Sequence, residues 1–80
     1  MDVTVDVRCN GRLAEALGSR RRVRLPAGAT VAELLGVLAA DAGLETATGL
    51  AVSVAGQVVG ADRRLDDGDA VAVLTPIAGG

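Results

Sequence analysis

Val3, Val5 and Val7 alternate with Asp2, Thr4, Asp6 and Arg8. A period of two puts the valines on one side of a pleated chain, so a half-buried strand is predicted from the start to about Cys9. Asn10-Gly11 breaks the alternation. In residues 12–17 the leucines Leu13 and Leu17 fall one helical turn apart, which predicts a short helix ended by Gly18. Arg22-Val23-Arg24-Leu25 alternates again, a second strand closed by Pro26, with Gly18-Ser19 making the return.

The clearest local signal is Thr30-Val31-Ala32-Glu33. A threonine three residues ahead of a glutamate forms a capping box, in which the Thr30 hydroxyl accepts from the Glu33 backbone N–H. Val31, Leu34, Leu35, Leu38 and Ala42 then share one helical face, and Gly43 is the expected stop. Gly36 costs about 1 kcal/mol inside a helix, which the apolar anchors outweigh. Residues 44–49 read as a polar connection. Val52, Val54 and Val58-Val59 form a third strand region with a turn at Ala55-Gly56-Gln57. Asp66-Asp67-Gly68-Asp69 is a tight turn. The run Ala70-Val71-Ala72-Val73-Leu74 is too short for a helix and apolar on both faces, which places it in the middle of a sheet.

The predicted order is strand, strand, helix, strand, strand. A helix across one face of a mixed sheet is the simplest way for so few elements to close a core. With the last strand central and parallel to the first, this is an α+β, β-grasp arrangement of four to five strands with one main helix. Residues 1–76 form the domain, and residues 77–80 are a flexible C-terminal tail ending in Gly79-Gly80.

Composition narrows what such a domain can do. Eighty residues with no Phe, Tyr or Trp give a thin aliphatic core, because a chain this short buries only about 60% of its unfolded surface. An enclosed ligand pocket of roughly 300–1,000 Å³ would hollow it out. The domain is therefore expected to present a surface or a tail. No histidine and a single Cys9 exclude the usual Cys/His zinc sites and an internal disulfide. One unpaired cysteine, no signal-peptide pattern and no long apolar run point to a cytoplasmic protein without a membrane partner. The formal net charge of −2 argues against nucleic acid as the main partner.

The tail is the candidate chemical group. It follows an apolar strand, carries no charge after Leu74 and ends in two glycines. Lacking a Cβ, Gly79 and Gly80 let a terminal carboxylate enter a channel only as wide as a peptide backbone and meet the α-phosphate of ATP. A glycine-rich end without a function is the competing explanation.

Leu65-Asp66-Asp67-Gly68-Asp69-Ala70-Val71, the apolar run after it, and Thr75-Pro76-Ile77-Ala78-Gly79-Gly80 resemble the C-terminal pattern of the ubiquitin-like sulfur-carrier family, particularly the molybdopterin synthase small subunit. Leu25 to Leu35, with its Pro26, Gly28 and Thr30, is similar to that family's strand-to-helix junction, and residues 12–18 to its first short helix. The resemblance implies that Gly80 is adenylated by a ubiquitin-activating-like enzyme and converted to a thiocarboxylate. The sulfur would pass to the large synthase subunit in molybdenum cofactor biosynthesis. No cofactor would be bound, ATP being used by the activating enzyme, and the chain would be the sulfur-donating subunit of a sulfurtransferase complex with no catalytic groups of its own. Aromatic residues usual in that subunit are replaced here, at Cys9-Asn10 and Val73-Leu74, and Thr75 stands for the first proline of a pair. Partner contact is therefore expected through an aliphatic patch of Val58, Leu74, Pro76 and Ile77. Carriers for thiamine, cysteine or thio-metabolite synthesis, a ubiquitin-like protein modifier, and a plain binding module remain alternatives.

Other features have plainer explanations. Arg20-Arg21-Arg22 with Arg24 reads as the solvated side of a turn and strand. Asp62, Asp66, Asp67 and Asp69 read as turn chemistry, too few oxygen ligands for a hard cation. Cys9, at the end of an alternating strand, reads as a small buried hydrophobe.

Overall fold

The computed structural model describes residues 1–43 and 50–74. The opening alternation forms β1 (Asp2–Cys9), with Val5, Val7 and Cys9 buried and Asp6 and Arg8 exposed. Helix α1 (Gly11–Leu17) follows and buries Leu13 at one end of the core. The chain returns as β2 (Arg20–Pro26), antiparallel to β1, with Val3 opposite Leu25 and Val5 opposite Val23. β2 starts two residues earlier than expected and includes Pro26. A proline is tolerated there because β2 is an edge strand and Pro26 is its last residue.

Helix α2 (Val31–Ala42) starts at the predicted cap: the Glu33 N–H donates to the Thr30 hydroxyl at 3.4 Å. It ends at Gly43, whose left-handed backbone lets its N–H donate back to the carbonyls of Ala39 and Ala40. Val31, Leu34, Leu38 and Ala39 are buried, while Leu35 and Ala42 are only partly covered and flank the stripe.

The third strand region is two strands, β3 (Ala51–Val54) and β4 (Gln57–Val59). They pair as a tight hairpin, Val54 opposite Gln57, around Ala55-Gly56. Both turn residues have positive φ, +52° and +84°, as a two-residue hairpin needs to match the strand twist. Glycine adopts this freely, but for Ala55 the conformation costs about 1–2 kcal/mol. The last strand, β5 (Ala70–Leu74), lies in the middle of the order β2-β1-β5-β3-β4. It runs parallel to β1, Val7 opposite Val71, and antiparallel to β3, Val52 opposite Val73. This is the expected mixed sheet of a β-grasp fold, at the upper end of the predicted strand count.

One segment does more than its sequence suggests. The first N–H groups of a helix lack intrahelical partners. Here Val31 and Ala32 donate to the carbonyls of Arg63 and Ala61, both at 2.9 Å, and Leu65 donates to Ala29. The stretch from Gly60 to Leu65 is thus tied to the start of α2, and Leu65 is drawn into the core.

Candidate functional site

Of the predicted site residues, Pro76, Ile77, Gly79 and Gly80 lie outside the described residues, as does the boundary placed at residue 76; the structure locates the base of the tail at Leu74. That base is the end of β5, which pairs with β1 as far as Val73 and with β3 through Leu74, opposite Ala51. A strand paired on both sides frays less than an edge strand, so the point from which the chain continues is held by the centre of the sheet.

The sheet has two unlike faces. α2 covers the one carrying Val5, Val7, Val23, Val52, Val54, Val71 and Val73, all buried. The other carries the alternate residues. The registers place Arg20, Arg8, Ala72, Ser53 and Val58 in one row across all five strands. Leu74 and Ala51 form the adjacent pair toward the tail. Val58 is 81% exposed and Leu74 46% exposed, both large for aliphatic side chains. The two described members of the predicted partner patch therefore share one face, beside the strand that leads to the tail. Small side chains leave an open trough of about 730 Å³, floored by Ala70, Ala72 and Ser53 and bordered by Asp6, Arg8, Arg20 and Arg22.

The remaining candidates are largely consumed by structure. Asp67 Oδ1 accepts from the Thr4 N–H at 2.7 Å, and Asp69 Oδ2 accepts from the Asp66 N–H at 2.8 Å and from Arg63 at 3.3 Å. The Gly68 N–H donates to the Thr4 carbonyl and the Asp6 N–H to that of Asp69. These bonds pin the turn to β1, so the acids serve as turn and register residues. Arg21 pairs with Asp41 of α2 at 2.8 Å, Arg22 with Asp6 at 3.1 Å and Arg24 with Asp2 at 2.9 Å. Cys9 is buried, and that burial raises its thiol pKa above the usual value, with Arg21 opposing weakly. A thiol so placed is a poor nucleophile. Among the described residues no group of three or more His, Cys, Asp or Glu could hold a metal ion, and no helix is long and apolar enough to cross a membrane.

The family model described as the ThiS family matches residues 7–80. The chain belongs to the ThiS family. No curated protein matches it significantly. Among solved structures, this ThiS-family chain is similar to a putative molybdopterin converting factor, subunit 1, from Pyrococcus furiosus, at 25% identity over 94% of this chain and 99% of the other, TM-score 0.79. It is also similar to the HVO 2177 protein of Haloferax volcanii, at 29% identity over 99% and 88% of the two chains, TM-score 0.80. The fold is shared with H. volcanii small archaeal modifier protein 1, at 21% identity over 94% and 99%, TM-score 0.78.

Reading the ThiS-family sequence alone misses Arg8. Its alternation put it on the polar face of β1, but nothing local shows that Arg20 stands opposite. The signal lies in the pairing: a tight return through α1 sets the register, and the register sets two cations side by side.

Proposed function

We propose that the chain is a sulfur carrier whose reacting group is the Gly80 carboxylate. The observation that carries this reading is the ThiS-family match running to residue 80, on a chain whose described residues offer no nucleophile–base pair of their own. A carboxylate oxygen of Gly80 attacks the α-phosphorus of ATP held by a ubiquitin-activating-like enzyme, and pyrophosphate leaves. Sulfide then attacks the acyl carbon, AMP departs with the bonding pair, and a thiocarboxylate remains. No electron transfer is needed. The chain binds no cofactor in this scheme; it supplies a rigidly based tail and a face for docking, while the activating enzyme supplies the ATP site.

We assign the sulfur acceptor to a molybdopterin synthase large subunit. The likeness to the P. furiosus converting-factor subunit at 25% identity supports that branch. A second reading is a protein modifier joined through Gly80, favoured by the fold shared with small archaeal modifier protein 1. With no lysine in the chain, such a modifier could not form lysine-linked polymers of itself.

ATP–pyrophosphate exchange with the matched activating enzyme tests the shared step. Exchange is expected with the full chain and none after removal of Gly79-Gly80. Exchange that survives the deletion would overturn the assignment of Gly80. Sulfur transfer to a pterin precursor on the large subunit then supports the synthase reading, whereas isopeptide adducts on other proteins, without such transfer, support the modifier.

A further inference from the structure

Three of the four arginines of β2 have a carboxylate within reach: Arg21 has Asp41, Arg22 has Asp6 and Arg24 has Asp2. Arg20 is the exception. Its register partner on β1 is Arg8, another exposed cation, and neither forms an ion pair among the described residues. Like charges directly opposite on neighbouring strands are destabilising. The nearest acid on the same face, Asp6, is already held by Arg22 at 3.1 Å.

The strand directions place this pair at a particular end of the sheet. β5 runs parallel to β1 with Val73 opposite Cys9, so the chain leaves the sheet beyond Leu74 at the end where Arg8 and Arg20 stand. The acids of residues 66–69 lie at the other end, where Gly68 and Asp69 bond to the backbone of Thr4 and Asp6. Only six residues follow Leu74, none of them charged in its side chain. Six residues reach about 20 Å at most, while Arg8 and Arg20 are one and two strands from β5, about 5 and 10 Å away. The excess length is enough for one reverse turn, and a proline such as Pro76 favours the second position of such turns. Between β5 and the arginines, Ala72 is too short to block the way.

We propose that the chain's own tail occupies this end of the trough in the free carrier, with the Gly80 carboxylate held between Arg8 and Arg20. This deepens the carrier reading, in which Gly80 ends the chain as a free carboxylate. A carboxylate between two guanidinium groups forms charge-assisted hydrogen bonds and relieves their repulsion. One exposed ion pair is weak by itself, but a short tether holds the tail's end at an effective concentration of roughly millimolar or more. A thiocarboxylate keeps the negative charge and is held the same way, so the reacting end rests on the chain's own cations until a partner draws it out.

Titration of the Gly80 carboxyl by carbon NMR, in the full labelled chain, tests this without any partner. Its pKa should fall about half a unit below that of a free peptide with the sequence of residues 75–80. The double variant Arg8→Gln/Arg20→Gln should stay folded, having lost only a repulsion, and should titrate like the peptide. Salt at about 1 M should have the same effect on the wild type. Arg24→Gln, which disturbs the ion pair with Asp2 instead, should leave the shift in place. A wild-type carboxyl that titrates like the peptide would overturn the proposal, as would a shift that persists in the double variant. A shift that fades on tenfold dilution would give the site to the tail of a second copy, also overturning it. None of these results touches the carrier reading, which stands or falls separately on ATP–pyrophosphate exchange.

Discussion

The same five strands carry two faces, and alternate residues of each strand have opposite surroundings. Beneath α2, valines and leucines are nearly sealed from water, with no buried polar side chain among the described residues. On the open face, one residue further along each strand, arginines, an aspartate, alanines and a serine line an open trough, and Val58 stands exposed beyond it. A shift of one residue would exchange the two sets. The covered face thus sets register and stability, and the register arranges the row from Arg20 to Val58. In the proposed carrier, stability and recognition would be written on different residues of the same strands.

That separation can be broken or sharpened by mutation, beginning with the covered face. Leu38→Ala removes a fully buried side chain from α2 and should cost about 2–5 kcal/mol. Against a total of about 5–15 kcal/mol, and in a core without aromatics, urea denaturation should show a large fall in the midpoint. Binding by whatever fraction stays folded should be unchanged. The opposite pattern is expected on the open face. Val58→Asp should alter stability by no more than about 0.5 kcal/mol while weakening activating-enzyme affinity about tenfold, or about 1.4 kcal/mol. Titration calorimetry beside a melting curve would separate the two effects.

Two smaller changes probe the solvent side of α2 and the hairpin turn at the edge of the trough. Gly36 lies on the solvent side of α2, and an added Cβ there meets nothing within 4 Å. Gly36→Ala should stabilise the fold by about 1 kcal/mol without touching docking. Ala55→Asn should gain about 0.5 kcal/mol, because asparagine accepts the left-handed backbone that alanine resists. A loss of stability in either would mean that the helix or the hairpin turn is not as described.

Much of the covered face was legible in the sequence, since period two and period 3.6 are local signals. Val5 and Val7, the Thr30 cap, Leu34 and Leu38, and the stop at Gly43 follow from neighbouring residues alone. The central place of β5 followed from its unbroken apolar run, but for an incomplete reason. Val71 and Val73 pack under α2, whereas Ala72 and Leu74 face the open side, where Leu74 is nearly half exposed. The hairpin of β3 and β4 read as one strand region because Ala55-Gly56 is a weak turn signal beside Asn-Gly. The tie between residues 60–65 and the start of α2 was illegible, being made by backbone groups that any sequence carries. Arg8 was hidden for a related reason: its pairing depends on a residue twelve positions away, beyond α1. At the tail, the sequence points to Gly79 and Gly80, and the structure adds the strand from which that tail departs.

The measurement that bears most directly on the account is the intact mass of the chain after incubation with its activating enzyme, ATP and sulfide. The account predicts a gain equal to the exchange of one oxygen for one sulfur, located at Gly80 by fragmentation and absent when Gly79-Gly80 is deleted. An unchanged mass, from an enzyme shown to load a known carrier under the same conditions, would contradict it.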